Sequence, residues 1–277
     1  MALLDTCYLR LERSQEHLKA LNDARTEVFA ESDDRFNFTL IGKTNSQRTK
    51  LLFHVKDMAP LPSLRWGMYV GDAVHSLRSA LDHLVYATAN EPTRQCGFPI
   101  CTTAKDWAIE SPAILWSVPD EIRALIDAAQ PYHRGDASHS HPLAVLNALW
   151  NLDKHKTIPV TALVPVLVEW GATQIVGISS HGDLRLHTRR ALEPEAVIAE
   201  MPITTDDSGV EPQMDMNCHF SFEVAFGKMS GIPSSIQLSH VVKTFNESLG
   251  SYAFKVIRTA SEIVEPGVER PMGIGSE

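Results

Sequence analysis

The chain has 277 residues, 44% hydrophobic and 21% charged, ordinary proportions for a globular protein with a sizeable core. Its formal net charge of −9 argues against unspecific binding to nucleic acid or to an anionic membrane, because both need a broadly basic surface. No run reaches about 18 consecutive apolar residues, so no membrane span is expected, and MALLDTCYLRLERSQEHL lacks the basic-then-apolar order of a secretory leader. The expected compartment is the cytoplasm. Cys7, Cys96, Cys101 and Cys218 are then reduced thiols, since no second close pair joins Cys96 and Cys101 to complete a four-thiolate zinc site.

Leu4, Cys7, Leu11, Leu18, Leu21 and Val28 recur at three- and four-residue steps, so 3–30 predicts a long helix whose seam is interrupted at Ser14 and Arg25. Phe36, Phe38 and Leu40 alternate with polar residues over 35–42. Leu51, Phe53 and Val55 alternate again beyond the GKTNSQ turn, and the two segments predict a hairpin with one buried face. MAPLPSLRW leads into a helix over 65–89, and NEPTRQCGFPICTTAKDW reads as irregular. A short helix is predicted at about 119–129, with Pro119 near its first turn and Asp120 and Glu121 at the positive end of its dipole. QPYHRGDASHSHP reads as a loop and 142–156 as a helix.

The period then changes. IPVTALVPVLVEW, TQIVGIS, DLRLHT and HFSFEVAF read as strands, the last with Phe220, Phe222, Val224 and Phe226 facing one way. SSIQLSHVVKTFNESLGSYAFKVIRTASEIV predicts one amphipathic helix, striped by Leu238, Val241, Phe245, Leu249, Tyr252 and Val256 and opened by a capping box of Ser234 and Gln237. No repeat or long linker divides the chain. The expectation is a single α+β domain over 1–266 with a flexible tail over 267–277. It combines a helical part with a mostly antiparallel sheet that the early hairpin joins.

The sharpest chemistry lies in VGDAVHSLRSALDHLVY, residues 70–86. At about 100° per residue, Ala73, Val74, Leu77, Ala80, Leu81, Leu84 and Val85 take one side, and Asp72, His75, Ser76, Arg78, Ser79, Asp82 and His83 the other. The polar side holds no Lys or Glu. Two readings stay open. In one, Arg78 and Asp82 pair along the surface, contributing roughly 0.2–0.5 kcal/mol, and His83 bonds Ser79. In the other, the fork of Arg78 grips phosphate and His83 moves a proton near neutral pH. Five positions separate the two, about 140° on a helix, so a tight pair would require two copies across a two-fold axis.

A second polar stripe, Asn147, Asn151 and His155, follows on the 142–156 helix. It is expected either to face solvent or to pack against Asp72, His75, Arg78 and Asp82, with Asp153, Lys154 and Lys156 at the rim. In HRGDASHSH, His133, Asp136, His139 and His141 are of the types that bind zinc, but solvated loops share this composition and the spacing fits no metalloenzyme motif. No metal and no cofactor is assigned. The chain contains no G-x-x-x-x-G-K-[ST], G-x-G-x-x-G, H-E-x-x-H or G-x-S-x-G. P-loop hydrolysis, dinucleotide redox chemistry, zincin proteolysis and elbow-type esterase chemistry lose support accordingly.

The Arg-x4-His spacing of RSALDH resembles that of the HEPN superfamily, over residues 78–83. The resemblance implies a helical, often dimeric, metal-independent ribonuclease. Arg78 and His83 would be its catalytic residues, and His75, Ser79, Asp82, Asn147, Asn151 and His155 the supporting or pocket residues. RNA and a second copy of the chain would be its partners. Ser79 stands where that family usually has Asn, Asp or His, and the family's helical bundles lack the sheet expected here. Over roughly residues 60–160, GDAVHSLRSALDHLVY, then FPI, then NALWNLDKHK is similar to a family of uncharacterised bacterial proteins, which carries no activity to transfer. The alternative to a nuclease is a non-enzymatic binding or interaction module whose His, Arg, Asp and Asn layer fixes helix register.

Overall fold

A computed structural model of the chain describes residues 2–30, 40–55, 60–187, 190–271 and 273, and their side chains except at 29–30, 164–174 and 215–222. The fold is α+β. The chain divides into two compact units. Met1–Asn22, Leu64–Pro159 and Met229–Glu277 make a helical unit, and Asp23–Ser63 with Val160–Lys228 makes a unit built on the sheet. No helix among the described residues is long and apolar enough to cross a membrane.

In the helical unit, α1 (Asp5–Ala30) buries Cys7, Leu11, Leu18 and Leu21, the seam its spacing predicts. Ser14 interrupts that seam without leaving the core, because its hydroxyl donates to the Ala73 carbonyl at 3.1 Å. α2 (Ser63–Thr88) buries Trp66, Val70, Ala73, Val74, Leu77, Ala80, Leu81, Leu84 and Val85. Its early turns carry Gly67 and Gly71 on the buried side, and other chain segments lie directly on the bare backbone there. A Cβ at Gly67 would lie 2.4 Å from the Ile158 carbonyl oxygen. Gly67→Ala should gain up to about 1 kcal/mol in helix propensity and lose roughly 1–3 kcal/mol to overpacking. A backbone carbonyl cannot swing aside, so the expected result is net destabilisation by roughly 1–2 kcal/mol in a urea titration. A more stable variant would disprove this close approach.

α3 (Ala104–Ile114) starts inside the stretch read as irregular, corrects that reading for the stretch's last four residues, 104–107, and runs on over residues given no element in the sequence reading. Thr103 caps it by accepting from the Asp106 amide at 3.1 Å. Ser111 is its buried residue and Pro112 lies inside it, so it lacks the inward apolar stripe that a sequence reading detects. α4 (Asp120–Ala128) starts after Pro119 with Asp120 and Glu121 in its first turn, as predicted. Residues 131–140 wind as 3₁₀ turns kinked at Gly135. α5 (Pro142–Asp153) stops three residues short of the predicted 156, and Lys154 is its C-cap.

The predicted continuous helix from Ser234 is also corrected. α6 (Val241–Thr244) begins seven residues later, after Leu238 at φ 58°. Gln237 is no capping-box partner, since its amide donates to the Met229 and Ile232 carbonyls at 3.0 Å. The His240 side chain caps α6 instead. A π turn, Phe245–Leu249, then leads into α7 (Gly250–Val264).

The sheet unit contains β1 (Leu40–Thr44), β2 (Lys50–Val55), β3 (Val160–Val176), β4 (Ile178–His181), β5 (Arg185–Leu186), β6 (Val197–Thr205) and β7 (Gln213–Phe226). The order is β3-β7-β1-β2-β6-β4, with β5 also paired to β6, and all these pairings are antiparallel. The predicted hairpin forms with Leu40 opposite Val55 and Gly42 opposite Phe53, and it buries Leu51, Phe53 and Val55. It sits mid-sheet, β1 against β7 and β2 against β6. Phe36 and Phe38 lie outside the described residues. β6 was not among the predicted strands. Pro202 argues against a strand in sequence, although Glu200 and Pro202 take the outward positions between buried Ala199, Met201 and Ile203.

Candidate functional site

Arg78 and Asp82 stand one turn apart on α2 and close on a single backbone residue. Arg78 Nη1 lies 2.7 Å from Asp82 Oδ1. Arg78 Nη2 donates to the Phe98 carbonyl at 2.7 Å, and the Phe98 amide donates to Asp82 Oδ1 at 2.8 Å. Both polar groups of Phe98 are thereby satisfied, as a neighbouring strand would satisfy them. The guanidinium carbon is 5.2 Å from the Trp150 ring centroid. Arg78 is only 9% exposed, so burial draws its pKa below the ordinary arginine value while the Asp82 charge pulls it back up. Its Nε is buried with no hydrogen-bond partner among the described residues.

The segment thus held is anchored a second time. Gln130, 1% exposed, accepts the Cys101 amide at 2.9 Å and donates to the carbonyls of Pro99 and Ile126 at 3.0 Å. Sequence reasoning missed Gln130, and a lone Gln beside a Pro carries no periodic signal that would have singled it out.

His83 has different company. It is half-buried, and burial together with the Arg10 charge on α1 holds its pKa below the usual 6.5, against the pull of Asp82. The imidazole is therefore neutral at pH 7. Ser79 is half-buried and His75 exposed. Asp72 is 3.8 Å from His17 Nδ1 of α1. Asp153 rests on the bare helix at Gly71, where a Cβ would come within 2.3 Å of its Oδ1. Burial, and then the Asp72 charge, raise its pKa, with His75 opposing.

The second stripe is divided. Asn147 is half-buried, whereas Asn151 and His155 are exposed, and among the described residues none of the three bonds to α2. Lys154 Nζ donates to Asn151 Oδ1 at 3.1 Å. Trp150 and Asp153 are the α5 side chains that meet α2 instead. Gly71 on α2 was the sequence signal for the approach of Asp153.

In the histidine-rich segment His133, Asp136 and His139 are exposed, and His141 is only 3% exposed. His141 Nδ1 accepts the Leu143 amide at 3.2 Å, capping α5, and its ring meets Tyr252 edge-on at 4.6 Å. Burial, assisted by the Arg134 charge, pushes its pKa down to about 4. Among the described residues no group of three His, Cys, Asp or Glu is placed to hold a metal ion. Cys7, Cys96 and Cys101 are free thiols, and burial pushes those of Cys7 and Cys101 up to about 12, out of nucleophilic range at neutral pH.

No family model, curated protein or solved structure matches the chain. The site is therefore read from its own geometry.

Proposed function

We propose that the chain is a non-enzymatic binding or interaction protein in which Arg78 and Asp82 are internal scaffolding. The observation supporting this is the occupancy of the guanidinium. One edge is committed to Asp82 and to the Phe98 carbonyl, the group lies on Trp150, and little of the residue reaches solvent. A phosphate would have to displace the carboxylate or free the segment that Arg78 ties down. Single-stranded RNA incubated with the purified protein in EDTA is expected to stay intact, equally with wild type and with His83→Ala. Nicking that the substitution removes would overturn the reading.

One observation favours a second reading, a metal-independent ribonuclease of HEPN-like type. His83 is half-exposed and neutral at pH 7, which suits a proton acceptor for a 2′-hydroxyl, and Arg78 Nε is a donor without a partner. On that reading RNA is the substrate and a second copy completes the Arg78–His83 pair. Nicking in EDTA that depends on His83 is its expected result. Under either reading the free thiols support a cytoplasmic setting.

A further inference from the structure

α3 carries apolar residues on its outside. Ser111 is buried and Trp107 and Ile114 are half-buried, while Ala108, Ile109, Pro112 and Ala113 are exposed. Positions 108, 109, 112, 113 and 116 follow three- and four-residue steps, which is one row on a helix. Ile109 is 65% exposed, and Trp116, just past the helix, is 50% exposed. A row of this kind on a water-facing surface marks a contact site.

Its ends carry opposite charge. Exposed Lys105 stands at the start. Exposed Glu121 and Asp120, the latter 98% exposed but 3.9 Å from Arg123 Nη1, stand beyond the end on the first turn of α4. Arg123 fixes that junction by donating from Nη2 to the Leu115, Trp116 and Val118 carbonyls. The two nearby acids are engaged elsewhere. Asp106 accepts the Thr103 hydroxyl at 2.7 Å, and Glu110 accepts from the Cys101 thiol at 3.9 Å. A row that is positive at one end and negative at the other complements its own reverse.

We propose that this face of α3 binds the same face of a second copy, antiparallel about a two-fold axis between positions 110 and 111. Ile109 then meets the partner's Pro112, and Ala108 meets the partner's Ala113, two small residues that let the backbones approach. Lys105 reaches the partner's Trp116, where an ammonium over an aromatic ring is favourable, and the acids of the partner's α4. Every contact occurs twice. The surface is independent of any role for Arg78 or His83.

Sedimentation velocity on the full chain, from about 2 to about 500 µM, covers the range of a small interface. A monomer–dimer equilibrium is expected, and Ile109→Glu should move its midpoint at least about tenfold toward monomer, because it buries a charge at the centre. Lys105→Glu alone should weaken the dimer, and adding Asp120→Lys and Glu121→Lys should restore it. These positions are exposed, so the variants should keep the wild-type circular dichroism spectrum. A wild type monomeric throughout, a dimer indifferent to Ile109→Glu, or charge reversal without rescue would each overturn the proposal.

Discussion

Arg78→Ala is expected to destabilise the helical unit by about 3 kcal/mol or more, far beyond the few tenths that a surface pair four residues apart contributes. The difference lies in what the substitution leaves behind. Asp82, about a third exposed, keeps the Phe98 amide but loses its counter-charge, and the Phe98 carbonyl loses its 2.7 Å donor. Trp150 also loses the guanidinium lying 5.2 Å from its ring. The Phe98 carbonyl left without its donor costs roughly 1–3 kcal/mol, and the lost pair adds less than the roughly 3–5 kcal/mol of a fully buried one because Asp82 is about a third exposed. At roughly 2–4 °C per kcal/mol the melting temperature should fall by about 10 °C. Arg78→Lys should recover only part of the loss, since an ammonium cannot reach Asp82 and the Phe98 carbonyl as a planar fork does. Asp82→Asn should cost less, and a double-mutant cycle with Arg78→Ala should give a coupling of at least about 1 kcal/mol. An Arg78→Ala protein as stable as wild type would mean that the guanidinium is not holding the segment. The scaffold reading would fall with it.

That clamp also marks where the sequence was readable and where it was not. The Arg78–Asp82 spacing predicts the pair, and the pair forms. Spacing cannot say that Phe98, some twenty residues on, would fold over it, so a buried clamp read as a surface pair. The division of α2 into an apolar and a polar side was legible, but its glycines were not weighed. Gly71 is the reason that Asp153, placed at the rim by its position on α5, lies on α2, as Gly67 is for Thr157 and Ile158. Asn151 and His155 followed helical spacing to a face that is exposed, and α5 in fact ends before His155.

The elements divide along the same line. The β1–β2 hairpin was legible because its burial alternates strictly and its register is local. α3 and β6 were not. The first is held by a Thr103 cap and shows its apolar side to solvent, and the second carries Pro202, a residue that argues against a strand, at an outward position of its alternation. The start of α6 was misplaced because Leu238 looks like helix stripe in sequence, yet adopts φ 58° in a turn that Gln237 closes. Pattern reports which residues avoid water, and caps and turns decide where the backbone may remain helical.

His141 should give the protein an acid sensitivity that begins well above the range of its carboxylates. Its imidazole is neutral in the fold because a protonated Nδ1 could not accept the Leu143 amide, and because burial against Tyr252 removes the water a charge would need. Among the described residues the charge that acts on it is that of Arg134, which also disfavours protonation. With the folded pKa at about 4 and the ordinary value at 6.5, stability is fully present above pH 6.5. Between 6.5 and 4 the unfolded chain takes up the proton and the folded chain does not, so stability falls. Below about 4 both forms are protonated and this loss is complete. Its size is about 3 kcal/mol. His141→Asn keeps a side-chain oxygen for the Leu143 amide but cannot titrate in this window. Urea titrations of both proteins from pH 7.5 to pH 4 should show wild type losing about 3 kcal/mol more than the variant. Taking the difference removes what Asp5, Glu200 and Asp153 contribute to both. Parallel curves for the two proteins would mean that the imidazole is hydrated in the folded state, and that the cap on α5 is made by something other than a buried neutral ring.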